Sequence, residues 1–262
     1  MSRLHFTFAC GKHALAGTLD TAPGHTGLLI VSGGNEIRSG AFGGQAKLAR
    51  AIARAGFPVF RFDRRGVGDS EGENRGFRKA AKDIASARDA FRALAPDIER
   101  VIAFGNCDAA SALVLNPDLD FDGLVLANPW TIEDENADAA ASMPASAIRE
   151  RYSEKLRNPN EIKRLITGRV DLGKLAKGIL KASHAQKKER SALALKMRER
   201  LASFEKPVSI LLASADRTAH IFEENWDSAD PRIERCEGAG HAFVEPDHSA
   251  WLEARILAAL RA

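Results

Sequence analysis

Short apolar runs alternate along this chain with stretches whose apolar positions recur every three or four residues, and that alternation predicts strands interleaved with helices. His5 to Ala9 and His13 to Leu19 flank Gly11-Lys12 in the pattern of a hairpin, and Gly27 to Val31 is a short buried strand ending in Ser32-Gly33-Gly34. Gln45 to Ala55 reads as an amphipathic helix closed by Gly56, with Phe57 to Phe62 the next strand. Phe77 to Leu94 is a second helix, stopped near Pro96, and Val101 to Phe104 is the strand that follows. A small-residue helix from Ala109 to Leu115 and a strand from Leu124 to Ala127 come next. Val208 to Ala213 and Arg232 to Cys236 finish the sheet, and Ala250 to Leu260 closes the chain as a helix. The expected fold class is α/β: a mostly parallel central sheet covered by helices on both faces, with ligands gathering at the carboxyl ends of the strands.

The pattern breaks between Asn128-Pro129-Trp130 and Pro207, where charged helical stretches at Ala147 to Leu156, Pro159 to Leu165 and Ser191 to Leu201 replace strands. We read 129–206 as a helical cap inserted between two parts of one core, 1–128 and 207–262. The formal net charge of +3 conceals an asymmetry, because Arg149 to Arg200 holds sixteen Lys and Arg against six Asp and Glu. Such a segment is either a solvated helical face or a peripheral landing surface for an anionic partner, such as a phosphorylated carrier or lipid headgroups. Nucleic acid is disfavoured, since Tyr152 is the segment's single aromatic for base stacking.

With 262 residues and 45% hydrophobic content, the chain can bury one large core. No run approaches the ~20 apolar residues of a membrane span, and Met1-Ser2-Arg3-Leu4-His5 lacks the apolar region of a signal peptide, so a cytoplasmic location is expected. Cys10, Cys107 and Cys236 are odd in number and scattered, which gives neither a disulfide framework nor a paired metal motif. No His-Glu-x-x-His spacing occurs, and Gly66-Val67-Gly68 is too short for a dinucleotide loop, so neither metal nor organic cofactor is expected.

Chemistry concentrates at Gly105-Asn106-Cys107-Asp108-Ala109-Ala110, where a strand turns sharply into a helix. A nucleophile on such a turn projects above the sheet edge, and backbone N–H groups at the helix start face an oxyanion. A cysteine buried at a strand end is the alternative. Asp216 follows the strand Val208 to Ala213 and is the candidate acid, or else a loop or helix-capping aspartate. His241 lies in the glycine-rich loop Gly238-Ala239-Gly240 after the last strand and is the candidate base, ahead of His220 and His248. The order nucleophile, acid, histidine fits a sheet presenting strand ends in this topology.

Asp63-Arg64-Arg65-Gly66-Val67-Gly68-Asp69-Ser70-Glu71-Gly72, with the turn at Cys107 and the Gly240-His241 loop, resembles the α/β-hydrolase superfamily. More narrowly, Gly33-Gly34 with Arg38 and Gly40, Arg61-Phe62-Asp63 and Asn106 to Ala112 resemble the exosortase A system-associated hydrolases, named for their neighbourhood with bacterial exopolysaccharide genes. The resemblance runs from about Gly27 to Leu126 and from Pro207 onward; no motif covers the cap. It implies Cys107 as nucleophile, Asp216 as acid and His241 as base, with cysteine in place of serine and Ala109 in place of the usual glycine. The backbone N–H groups of Asp108 and of Asn35 or Gly34 would hold the oxyanion. Arg38 would either clamp a substrate carboxylate or phosphate or pair with Glu36 or Asp63, and Asp63 to Gly72 would brace the sheet through Arg–Asp pairs. The implied activity is cleavage of small acyl esters or thioesters, free or carrier-bound, through an acyl-cysteine. An acyltransferase using a sugar or amine acceptor and a non-catalytic scaffold are the alternatives.

Overall fold

The structure is a computed structural model and describes residues 1–133 and 191–262. Its first strands, β1 (Arg3–Cys10) and β2 (His13–Asp20), form the expected antiparallel hairpin, turning at Gly11 with φ 63°. The remaining strands are β3 (Thr26–Val31), β4 (Val59–Phe62), β5 (Arg100–Asn106), β6 (Gly123–Ala127), β7 (Val208–Ala213) and β8 (Ile233–Cys236). Among the described residues the helices are α1 (Gly44–Arg54), α2 (Ala81–Leu94), α3 (Asp108–Leu115), α4 (Ala192–Ala202), α5 (Arg217–Asn225) and α6 (Pro246–Arg261).

One eight-stranded sheet runs β1-β2-β4-β3-β5-β6-β7-β8; β2 is antiparallel to both of its neighbours and every other pair is parallel. Strand β6 is buried throughout, which is why it reads as an unbroken apolar run rather than an alternating one, and β4 is as fully buried, its Arg61 facing Asp20 at 3.4 Å. On one face, Leu48 and Ile52 of α1 and Leu252, Ile256 and Leu260 of α6 pack over Leu28, Ile30, Val125 and Leu211. On the other, Ile84 and Phe91 of α2, Leu113 of α3 and Phe222 of α5 cover Leu29, Val31, Phe60 and Phe62. Phe60 and Phe91 are fully buried and stack with centroids 5.4 Å apart; burying such a ring contributes about 1.5–3 kcal/mol.

Several boundaries differ from the sequence reading. Strand β4 begins after Pro58, and the stretch from Phe77 splits into a 3-10 turn, Phe77–Lys79, before α2. Helix α5 follows Asp216 directly and buries Thr218, Ala219 and Phe222 among charged residues. Helix α6 starts a turn earlier than Ala250, with Pro246 in its first turn, where a missing N–H costs nothing. Helix α4, from the end of the region read as a cap, sinks Leu193, Met197 and Leu201 into the core that also holds α3. The other two cap helices, Ala147 to Leu156 and Pro159 to Leu165, lie outside the described residues. No helix of the described residues is long and apolar enough to cross a membrane.

Strand order reverses direction between β3 and β5: the chain winds from β3 to β4 on one side and from β5 through β6 to β8 on the other. The crevice outside the carboxyl ends of β3 and β5 is therefore where a ligand has room, and Gly33-Gly34 and Cys107 both border it.

Candidate active site

Cys107 stands between β5 and α3 with φ 61° and ψ −128°, a conformation that costs a non-glycine residue about 1–3 kcal/mol. Its surroundings hold it there: its N–H donates to the Ala127 carbonyl at 3.0 Å, and its carbonyl accepts from the Trp130 N–H at 3.2 Å. Glycine is required at 105, since a Cβ would lie 2.7 Å from the Ala109 carbonyl carbon and 2.8 Å from the Ala110 nitrogen. Ala109 and Ala110 are themselves fully buried, so small side chains let the helix close onto the strand end. The thiol remains partly exposed, whereas Cys10 and Cys236 are buried; all three are free.

His241 reaches the same place from the loop after β8. Its Nδ1 lies 2.9 Å from Asp216 Oδ2, and the Cys107 side chain is near enough to act on its charge. A carboxylate only accepts, so Nδ1 carries the hydrogen and Nε2 is left for sulfur. Burial disfavours the imidazolium, yet the hydrogen bonds and charges of Asp216 and Cys107 outweigh it and push His241 up from 6.5 to about 10. Asp216 is buried, and its Oδ2 also accepts from the Ala219 N–H at 3.2 Å, capping α5. One carboxylate thus both caps α5 and faces the His241 ring.

Two amides that the sequence reading passed over fasten the histidine loop. Asn106 Nδ2 and Asn128 Nδ2 donate to the His241 carbonyl at 3.0 and 3.2 Å, and Asn128 Nδ2 also donates to Asn106 Oδ1 at 3.0 Å. Asn128 Oδ1 accepts from the Ala213 N–H at 2.8 Å, tying β6 to β7. Asn128 has φ 42°, a region that asparagine tolerates better than most residues, and its place directly after a strand and before Pro129 was the available signal. His220 on α5 lies 4.0 Å from Glu223, and His248 pairs with Glu245, so neither takes the place of His241 beside Asp216.

The loop after β3 lies against this turn. A Cβ at Gly33 would meet the Asn106 carbonyl oxygen at 2.7 Å, so glycine permits the close approach. Of the backbone groups expected to hold an oxyanion, the Gly34 N–H is already engaged, donating to Asp108 Oδ1 at 2.7 Å. The Asp108 N–H opens α3 and has no acceptor within the helix. Asn35 accepts through Oδ1 from Asn74 Nδ2 at 2.8 Å. Gly34, Asn35, Arg64, Phe77, Cys107, Asp108 and Trp130 all line a pocket of about 250 Å³.

Arg38 is not among the residues lining that pocket. Its guanidinium pairs with Asp63 and, at 2.9 Å, with Asp69, while its Nε donates to Thr18 Oγ1 at 3.1 Å. Of the two roles left open for it, pairing with Asp63 is the one the structure displays, and its charge is already committed there. Asp63 also accepts from the backbone N–H groups of Arg38 and Asp69, and Arg65 pairs with Asp83, so the glycine-rich charged segment braces the sheet as expected. Glu36 lies nearby; burial raises its carboxyl above the ordinary range, against the hydrogen bond from the Ala41 N–H. Among the described residues, no three His, Cys, Asp or Glu side chains are placed to hold a metal ion.

The sequence pattern of the α/β-hydrolase family matches residues 28–255, and the chain belongs to that family. A search of curated protein sequences returned no match. Among solved structures, the chain is similar to the esterase Pf2001 of Pyrococcus furiosus, with TM-score 0.62 and 13% identity, covering 99% of this chain and 90% of that one. It is also similar to the α/β hydrolase GrgF of Penicillium sp. sh18, with TM-score 0.62 and 17% identity over 99% of this chain and 97% of that one. XC6422 of Xanthomonas campestris, described as an α/β serine hydrolase without a lid, gives TM-score 0.58 and 15% identity over 100% and 94%. At these identities the likeness concerns the fold.

Proposed function

We propose that the protein is a hydrolase of carboxylic esters or thioesters acting through an acyl-cysteine, with Cys107 as nucleophile, His241 as base and then acid, and Asp216 orienting the imidazole. The observation that carries this reading is the pairing of His241 Nδ1 with Asp216 at 2.9 Å beside Cys107, which stands at the strained turn between β5 and α3. With a pKa of about 10, His241 already holds the proton of the thiol as an imidazolium at neutral pH; sulfur bonds to the acyl carbon, and the carbonyl electron pair moves to oxygen, facing the Asp108 N–H. As the tetrahedral species collapses, the imidazolium protonates the departing alcohol or thiol and a thioester remains on the enzyme. Water, giving its proton to His241, then releases the acid and restores the thiol.

The esterase name of one structural neighbour favours ester chemistry, and the resemblance to exosortase-associated hydrolases makes acyl groups tied to exopolysaccharide production the first substrates to test. A p-nitrophenyl butyrate assay with Cys107→Ala is the primary experiment: turnover and an initial burst in the native chain, and neither in the variant. Iodoacetamide should modify Cys107 before Cys10 and Cys236 at neutral pH, and more slowly once His241 is replaced by Ala. Full turnover by Cys107→Ala, or labelling of Cys107 that ignores the loss of His241, contradicts the reading. Product analysis with an added alcohol or amine separates hydrolysis from acyl transfer.

A further inference from the structure

Beside the thiol sits a charged pair with no part in the reaction just described. Asp108, the residue after the nucleophile, turns its carboxylate onto the loop where an oxyanion is to be held: Oδ1 accepts the Gly34 N–H at 2.7 Å. The same oxygen lies 2.9 Å from where a Gly33 Cβ would stand, a point itself 3.4 Å from the Cys107 Cβ. A fixed negative charge therefore occupies a donor on the oxyanion side of the nucleophile, where like charge repels the negative charge that develops during attack. Behind it, the Arg64 side chain is only 3% exposed. Its Nη2 donates to the Gly34 carbonyl and lies 3.4 Å from Asp108 Oδ2, while its Nη1 is buried with no hydrogen-bond partner among the described residues. A guanidinium fork engages a carboxylate best through two nitrogens, and here one nitrogen makes a long contact and the other none.

We infer that Asp108 and Arg64 form a gate on the oxyanion hole: the Asp108 carboxylate fills the hole of the resting site, and substrate admission moves it onto the vacant nitrogen of Arg64, freeing the Gly34 N–H. Asp108 is then a specificity-determining residue and Arg64 the positioning residue that receives it. The inference rests on the acyl-cysteine reading and adds to it, because only carbonyl substrates, whose oxygen must enter the hole, have to open the gate. An alkylating agent that reacts with sulfur by displacement does not.

That difference supplies the test. Butanal adds to a thiolate when sulfur bonds to the carbonyl carbon, the carbonyl pair moves to oxygen and oxygen takes the proton of the His241 imidazolium, so its inhibition constant reads the hole. Iodoacetamide alkylation reads the thiol alone. In Asp108→Ala, butanal is expected to bind about tenfold tighter or better, within the range that one oxyanion donor commands, and beyond any change in alkylation rate. Arg64→Met removes the receiving nitrogen and is expected to weaken butanal binding. Should Asp108→Ala fail to fold, Asp108→Asn keeps the shape without the charge, and a gain of about threefold is expected, since neutral hydrogen bonds are roughly half as strong as charge-assisted ones. Unchanged or weaker butanal binding in every folded Asp108 variant overturns the gate, and a parallel loss in the Asp108 and Arg64 variants reassigns the pair to bracing the loop. Failure of iodoacetamide to label Cys107 in the native chain overturns the nucleophile reading instead.

Discussion

The proton on the His241 imidazole links the geometry of the site to its pH behaviour. Asp216 and Cys107 together overcome the cost of burial and carry the pKa from 6.5 to about 10. An alkyl ester such as ethyl butyrate releases a poor leaving group that must depart protonated, so kcat/KM for it is expected to stay level across neutral pH and fall as pH rises through about 10. In Asp216→Asn, the hydrogen-bonded carboxylate charge is gone, and the alkaline fall should move down toward the ordinary imidazole range; a pH-rate profile of the two proteins checks it. Stability follows with a definite sign. A pKa raised in the folded state adds stability that is fully present below 6.5 and is lost as pH rises through about 10. The urea midpoint of the native chain should therefore exceed that of Asp216→Asn most just below pH 6.5, and the gap should shrink as pH rises toward about 10.

The turn between β5 and α3 depends on an absent side chain more than on any present one. Ala at 105 would push its Cβ into the α3 backbone at 2.7 to 2.9 Å, where no flexible side-chain end can yield. Overpacking of this kind typically costs about 1–3 kcal/mol, so Gly105→Ala should lower the denaturant midpoint and reduce turnover together. Gly240, directly before His241, has nothing within 4 Å of its Cβ position, and Gly240→Ala should leave stability within about 0.5 kcal/mol of native. Paired urea titrations distinguish the two. These elements also mark what the sequence could and could not convey. Unbroken apolar runs made β3, β5, β6 and β7 legible, and the small residues around Cys107 made the turn legible. The bounds of α5 were not legible because its signal is a capping aspartate and a sparse stripe among charges, and the early start of α6 rests on one proline.

Across the whole molecule, the placing of Cys107, Asp216 and His241 was legible in the sequence, since each follows its own strand. How their loops are fastened was not. The bonds from Asn106 and Asn128 to the His241 carbonyl span more than a hundred residues, and the commitment of Arg38 to Asp63 depends on where β3 and β4 lie side by side. Charge is the remaining global feature. Arg149 to Arg200 carries a net +10 by its sixteen basic and six acidic residues, so the rest of a chain with net +3 is acidic by seven. A basic segment of this kind is drawn toward an anionic surface, and the attraction fades over a Debye length of about 8 Å at physiological salt. We therefore expect the protein to sediment with vesicles containing phosphatidylglycerol at low ionic strength, to leave them as salt is raised, and to ignore vesicles of phosphatidylcholine alone. Replacing Lys174, Lys177 and Lys181 with Glu inverts part of the charge while keeping Cys107, Asp216 and His241, and should abolish sedimentation while leaving p-nitrophenyl butyrate turnover intact. Binding that is insensitive to salt and to those substitutions would mean that the basic segment is a solvated surface with no such partner.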